Sequence, residues 1–344
     1  MNKIANVLPL VLSVAVCIII IFGSGFTQIV KLAGKSDNAT ISTGAYPLKD
    51  KLSIKPKKPQ VSAVESKTET SSVQVSTQKG DAVGAIFEQF LSPYTQKLNY
   101  GGIYIKNSAG ISINIKDELS SKLELTIKKS KEPEVLIVHT HATESYMAED
   151  STYYTAQDKA RSEDNSKNVV KVGEVLANVL KEGGISVIHD KTHHDSPSYN
   201  QSYSRAKTTI NEYLSKYPSI KVVVDLHRDS IAMTGNDKCK PTKKIDGKKA
   251  AQVMLVVGSQ TGTVSGFPDW KQNLRLALRF QQTMEASYPG LARAMLFCSR
   301  KYNMNLTKGS MLLEVGTDAN TLEEAVYSAE LAGKALLSVL NTLK

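Results

Sequence analysis

The chain is poor in cysteine and histidine, with three of the first and six of the second among 344 residues. Cys17, Cys239 and Cys298 are too few for a disulfide scaffold and too widely spaced for a cysteine-based zinc cluster, which needs close pairs. A metal ion here must be held by histidine and carboxylate. Phosphate-loop chemistry is missing its signature as well, because Gly258-Ser259-Gln260-Thr261-Gly262 has no lysine to reach a phosphate. There is no dinucleotide-binding glycine fingerprint and no nucleophile elbow. Apolar residues make up 41% of the chain, enough for a packed core, so wholesale disorder is excluded. Lysine and arginine number 43 against 33 acidic residues, a net charge of +10. That excess favours a polyanionic partner: cell-wall polymer, nucleic acid or lipid headgroups. With no aromatic–basic motif in the chain, no nucleic-acid partner is expected.

Residues 7–26 carry no charge, with Lys3 before them and Lys31 and Lys35 after. About 20 apolar residues suffice for a transmembrane helix. A cleaved signal peptide has a shorter apolar region of about 7–15 residues and a small-residue cleavage site. Only Gly23, Ser24 and Gly25 hint at such a site, so residues 1–30 read as an uncleaved anchor with the body outside the membrane. Cys17 follows Val16 rather than the small residue that lipoprotein processing requires, and reads as an apolar side chain in lipid. Residues 31–80 are rich in Ser, Thr, Lys, Val and Pro and read as a flexible linker. About 50 such residues give a root-mean-square reach of several tens of ångströms. Residues 81–131 read as a lead-in packed on the main domain, with a short helix over AVGAIFEQFL (82–91) and extended runs GGIYIKN and ISINI.

Residues 132–344 alternate between two patterns. VLIVH (135–139), ISVIH (185–189), IKVVVDLH (220–227), AQVMLVVG (251–258) and SMLLEVG (310–316) are short, apolar and β-branched, as strands covered on both faces are. Between them run helical stretches ending at Gly183-Gly184, before Pro218 and before Pro289, and a last helix follows the final strand. The expectation is an α/β fold with a mixed, mostly parallel central sheet and helices on both faces. Chemistry in such sheets gathers beyond the carboxyl ends of the strands.

Three strands end in polar groups. VLIV runs into His139-Thr140-His141-Ala142-Thr143-Glu144-Ser145, KVVVDL into His227-Arg228-Asp229, and SMLL into Glu314. Imidazoles and carboxylates at neighbouring strand ends suit a catalytic zinc site, which takes three protein ligands and keeps one position open. A nearby glutamate would act as general base. Singly, each residue has an ordinary reading: a hydrogen-bonded strand-end histidine, or a carboxylate near a helix start. Asp225 is a stronger anomaly, since a carboxylate inside an apolar strand needs a partner. Spacing alone leads to a metal hydrolase. His189 and the His193-His194-Asp195 run read as a surface loop, with His189 as a reserve ligand. The basic stretch 235–250 reads as a solvated hairpin or as a rim for an anionic polymer.

The blocks VLIVHTHATESY, YPSIKVVVDLHRDS and GSMLLEVGTDANT, in this order, resemble the stage II sporulation protein P family of membrane-anchored peptidoglycan hydrolases. The resemblance implies an N-acetylmuramoyl-L-alanine amidase of the engulfment machinery, with the D,D-endopeptidase activity also described for the family, and a zinc amidase fold. It implies Zn2+ on His141 and His227 and catalysis by Glu314. For the third ligand, Glu144 in a His-x-x-Glu arrangement competes with Glu163 or Asp164, the position used in related amidases, and Glu144 is preferred. His139 is assigned to support a metal ligand from behind or to meet substrate, Arg228 to a substrate carboxylate, and Asp229 to the orientation of a ligand imidazole. The implied partners are peptidoglycan, the membrane, and stage II sporulation proteins D and M. The implied location is the mother-cell membrane, with the catalytic domain on its extracytoplasmic side facing the forespore septum. The rival reading is a non-catalytic wall-binding scaffold. Pairing of Cys239 with Cys298 is left open.

Overall fold

The computed structural model describes residues 81–343. The expected anchor and linker lie outside the described residues. Among the described residues no helix is long and apolar enough to cross a membrane.

In chain order the elements are β1 (Ala82–Gln89), β2 (Leu98–Tyr100), β3 (Ile103–Asn107), α1 (Ile115–Ser120), β4 (Val135–Val138), β5 (Tyr153–Thr155), α2 (Val169–Glu182), β6 (Val187–His189) and α3 (Ser202–Lys216). Then follow β7 (Val222–Asp229), β8 (Lys238–Ile245), β9 (Lys248–Ala251), β10 (Val253–Gly258), α4 (Trp270–Ser287), β11 (Met295–Cys298), β12 (Gly309–Thr317) and α5 (Leu322–Asn341). The main sheet has the order β2-β3-β11-β10-β12-β7-β4-β6. Strands β6, β4, β7 and β12 run parallel, as do β3, β11 and β10, and the two blocks meet antiparallel at β10–β12. The sheet is mixed and mostly parallel.

Strand alternation places the site. Val135 and Ile137 of β4 enter the large core with Leu176 and Leu180 of α2, Leu274 of α4 and Leu336 of α5. Leu136 and Val138 point the other way and pack with Ile210 of α3. On β7, Val222, Val224 and Leu226 join the large core. That leaves Asp225, His227 and Asp229 on the α3 side. On β12, Met311, Leu313 and Val315 go inward, and Glu314 goes outward beside His227, its register partner. The period that builds the core therefore lines up the polar residues on the opposite face. Just past Glu314 the β12–β7 register shifts, and Gly316 takes φ +65°, a left-handed turn that glycine adopts without strain.

Residues 82–91 do not form the expected helix. Ala82–Gln89 is β1, paired between β5 and β8 in a four-stranded sheet of order β5-β1-β8-β9. Only Ile86 of this strand is buried, so helical and alternating patterns were indistinguishable in the sequence, and strand pairing decided. Gly84 permits it, since a Cβ there would sit 2.5 Å from the carbonyl oxygen of Asn236. The ISINI run forms no strand either; Asn114 caps α1, accepting the backbone N–H groups of Lys116 and Asp117. Strand β3 pairs with β11, so residues 81–131 supply strands to the main sheet.

The basic stretch does form a hairpin, β8–β9, but it is not a freely solvated one. Lys240 is 1% exposed, with its ammonium 2.8 Å from Glu324 and 2.5 Å from Asp150. Lys249 pairs with Glu88 and Asp150, and Lys238 with Asp318. Cys239 and Cys298 are both buried free thiols.

Candidate metal centre and active site

After β4 the chain folds into a turn in which the Glu144 N–H donates to the His141 carbonyl at 3.1 Å. That turn puts both side chains on one side. His141 Nδ1 lies 3.4 Å from Glu144 Oε1, and His227 Nδ1 lies 3.3 Å from Glu144 Oε2. All three residues are buried, and one donor atom from each falls within 4.8 Å of the others. In a tetrahedral zinc site with bonds of about 2.0–2.1 Å, ligand atoms stand about 3.3–3.4 Å apart. Each imidazole nitrogen stands at that spacing from one oxygen of the Glu144 carboxylate, a donor set that suits zinc.

Each imidazole is oriented from behind. His141 Nε2 meets Ser202 Oγ, at the start of α3, at 3.0 Å. His227 Nε2 lies 3.0 Å from Asp225 Oδ1, a charge contact outside good hydrogen-bond angles. Asp225 is itself fixed by the Thr140 N–H at 2.8 Å and the Thr140 hydroxyl at 2.7 Å, the partners its apolar strand demanded. Such outer contacts set which ring nitrogen faces a metal. The Arg228 backbone N–H donates to Glu144 Oε2 at 3.1 Å. Burial disfavours the Glu144 charge, yet the contacts with His141 and His227 outweigh it and hold its carboxyl well below the usual range. Burial likewise opposes charge on His227, but Asp225 and Glu144 raise its imidazole well above the ordinary value. A divalent cation held by these three residues would take the place of the proton.

Glu314 sits one strand away from His227 on the same face. Its Oε2 is enclosed and has no hydrogen-bond partner among the described residues. Burial, and then the charge of Asp229, push its carboxyl up to about 8. A glutamate tuned near neutrality can both take and return a proton. Tyrosines wall the centre. Tyr199 stacks on His141 at 4.4 Å between ring centroids, and Tyr203 meets the same imidazole edge-on at 5.5 Å. Tyr203 also lies parallel to the His227 ring at 6.5 Å and contacts Tyr302 at 5.5 Å.

The structure thus brings together His141, Glu144, His227 and Glu314. It does not bring Glu163 or Asp164 to them. Glu163 is exposed and accepts from Ser196, while Asp164 is exposed and caps a local turn through Ser166. His139 is elsewhere too, because it shares the facing of Val135 and Ile137. Its Nδ1–H donates to the Leu226 carbonyl at 2.9 Å, and its Nε2 accepts from His189 Nε2–H at 2.9 Å. Burial lowers His139 to about 4 and His189 to about 3, so both are neutral. A Cβ on Gly173 of α2 would come within 2.7 Å of the His139 ring, so only glycine leaves room there. The Arg228 side chain is buried and donates to the Ser145 carbonyl at 2.8 Å and to Ala160, so it holds backbone rather than a substrate. Asp229 pairs with Arg293 at 2.9 Å and acts on Glu314, not on an imidazole. The His193–Asp195 loop is not simply surface: His194 and Asp195 are buried, and His194 Nδ1–H donates to the His139 carbonyl at 2.9 Å.

A profile of the family described as stage II sporulation protein P matches residues 28–336. The chain belongs to this family. A stage II sporulation protein P of Bacillus subtilis (strain 168) is 31% identical over 209 residues, covering 58% of this chain and 49% of the relative. The match spans about half the length of that relative. Among solved structures, the N-acetylmuramoyl-L-alanine amidase AmiC2 of Nostoc punctiforme is 10% identical, covering 62% of this chain and 97% of its own, with a TM-score of 0.35. An N-acetylmuramoyl-L-alanine amidase from Clostridium difficile 630 is 14% identical over 62% and 97%, with a TM-score of 0.37. The CwlD amidase of Clostridioides difficile, solved with the GerS lipoprotein, is 10% identical over 61% and 98%, with a TM-score of 0.37. The fold described above rests on its own strand order and register. In this sporulation family member, His141, Glu144, His227 and Glu314 all fall inside the matched stretch.

The four converging residues stood out in the sequence as polar ends on apolar strands. Ser202, Tyr199, Tyr203 and Arg161 did not. They reach the site from connections before α2 and around the start of α3, where no hydrophobic period marks them.

Proposed function

We propose that this protein is a zinc-dependent peptidoglycan hydrolase that cleaves the amide between the lactyl group of N-acetylmuramic acid and L-alanine. The observation that carries this reading is the convergence of two imidazole nitrogens on Glu144, with Glu314 beside His227 on the same sheet face. His141, Glu144 and His227 would hold the ion. When bound, zinc polarises a carbonyl and acidifies water. Glu314 takes the proton of the attacking water and returns it to the departing amine nitrogen, a double duty suited to a carboxyl pushed up to about 8. Asp225 and Ser202 keep the two imidazoles turned inward. Tyr199 and Tyr203 give the cleft apolar walls that limit water around the reacting groups.

The membrane anchor and flexible linker read from residues 1–80 would hold the body outside the membrane while it samples cell wall at the forespore septum. D,D-endopeptidase cleavage of stem-peptide cross-links is a second activity that goes with the family. Stage II sporulation proteins D and M are the partners proposed with it. The test is digestion of intact peptidoglycan by the full-length zinc-loaded chain, with mass spectrometry of the released fragments beside a His141→Ala control. Free stem peptides and peptide-free glycan, absent from the control, are expected. Wall binding without fragments would favour the scaffold reading, and cleaved cross-links alone would leave only the endopeptidase.

A further inference from the structure

Arg161 stands at the mouth of the centre in a pose that an ordinary surface arginine does not hold. Its Nη1–H groups donate to Asp195 Oδ2 at 2.7 Å and to Thr143 Oγ1 at 3.0 Å. The Asp195 side chain is 0% exposed and also accepts the Thr143 hydroxyl at 2.6 Å, so the anchor is rigid. The Arg161 side chain itself is 43% exposed. Exposed ion pairs usually pay too much side-chain entropy to keep one geometry. Here a buried carboxylate and a ring fix it instead. The guanidinium carbon lies 4.8 Å from the centroid of Tyr199, and Tyr199 stacks on the ligand imidazole of His141 at 4.4 Å. Guanidinium, phenol and imidazole form one stack that runs outward from the metal centre.

Only one edge of the guanidinium is used. On the other side Glu144 Oε1 lies 4.0 Å from Nη2, beyond hydrogen-bond reach. The Nε–Nη2 edge therefore makes no hydrogen bond among the described residues. Such an edge is the planar fork that matches a carboxylate with two parallel hydrogen bonds. It lies one side chain from a metal ligand, and successive residues of a peptide lie about 3.8 Å apart. A group carried by the second residue after the cleaved amide, two such steps along, comes within its reach.

We propose that Arg161, backed by Tyr199 and anchored by Asp195, is a carboxylate-binding subsite that takes the free α-carboxylate of the D-glutamyl residue following L-alanine in the stem peptide. This rests on the amidase reading. The subsite places the leaving peptide, so that its amine nitrogen faces Glu314. A stem peptide whose α-carboxylate is converted to the amide loses one acceptor oxygen and its charge, and becomes the poorer substrate.

The test compares two defined substrates with the full-length zinc-loaded chain: N-acetylmuramoyl-L-alanyl-γ-D-glutamyl-diaminopimelate and its D-isoglutaminyl counterpart. The wild type is expected to favour the free carboxylate by about ten- to a hundred-fold in kcat/KM, mostly through KM, the range of one charge-assisted contact. Arg161→Gln is expected to bring that ratio near one, and Arg161→Lys to keep part of it. A wild-type ratio of one overturns the subsite, as does an Arg161→Gln variant that slows both substrates alike and keeps the ratio, which is the mark of a structural role. Calorimetric binding of the two released tripeptides, free and amidated, is measured in parallel. If the wild type cleaves neither substrate, the amidase reading fails, and the tripeptides still decide the subsite. A preference for the free acid that Arg161→Gln removes supports it; equal affinities overturn it.

Discussion

Glu314 shows how one side chain acquires its chemistry from its surroundings. Placed on the outward face of β12, it is enclosed at Oε2 and lies near the charge of Asp229, and both raise its carboxyl toward neutrality. Glu314→Gln keeps the shape and removes the proton acceptor. Turnover of muramoyl peptides is expected to fall about 10²- to 10⁴-fold, with zinc content unchanged, as single-turnover assays and metal analysis would read. A variant that keeps wild-type turnover would remove Glu314 from the reaction. The grouping of His141, Glu144, His227 and Glu314 was legible in the sequence. His227 and Asp225 share a parity along an apolar strand, and a carboxylate there is costly without a partner. His139 was misread because a strand-end histidine looks the same whichever face it serves. Its parity with Val135 and Ile137 carried the answer, since that facing leads into the α2 core and not to the cleft. Arg161 and Tyr199 could not be read, because their meeting depends on how two distant connections pack.

The β8–β9 hairpin is held to α5 by buried charge. Its run of lysines suggested a solvated hairpin or a rim for an anionic polymer, yet Lys240 is among the largest fully buried side chains of the described residues and joins the hairpin to Glu324 in the capping box of α5. Thr317, the last residue of β12, and Asn320, just beyond it, donate to the carbonyls of Cys239 and Pro241, so the hairpin braces the end of the strand that bears Glu314. Removing one partner of a buried ion pair leaves the other charged and uncompensated, at a cost of about 3–5 kcal/mol. Lys240→Ala is expected to lose that much in chemical denaturation. The exposed neighbour Lys244→Ala should stay within about 0.5 kcal/mol. Equal effects at the two positions would return the hairpin to a solvated role. Charge counting misses this, because composition does not say which lysines meet a carboxylate brought from elsewhere in the chain. Helix ends were more readable: Gly183 and the prolines at 218 and 289 act through local backbone geometry, and α2, α3 and α4 stop beside them.

Across the whole molecule, two blocks of parallel strands meet at an antiparallel seam between β10 and β12, and the centre is built where β4, β7 and β12 end together. The alternation of strands and helices foretold an α/β sheet of this kind. The reversal at the seam and the small β5-β1-β8-β9 sheet were not foretold, since both depend on pairings between segments far apart in sequence. In the proposed zinc centre Glu144, on the same turn as His141, completes the ligand set with His227. The direct measurement is the zinc retained per chain after dialysis, by elemental analysis, for the full-length wild type, Glu144→Ala and Glu163→Gln, with circular dichroism to show that each is folded. One zinc in the wild type and in Glu163→Gln, and none in folded Glu144→Ala, is the predicted result. Zinc kept by Glu144→Ala and lost from Glu163→Gln would move the third ligand to Glu163.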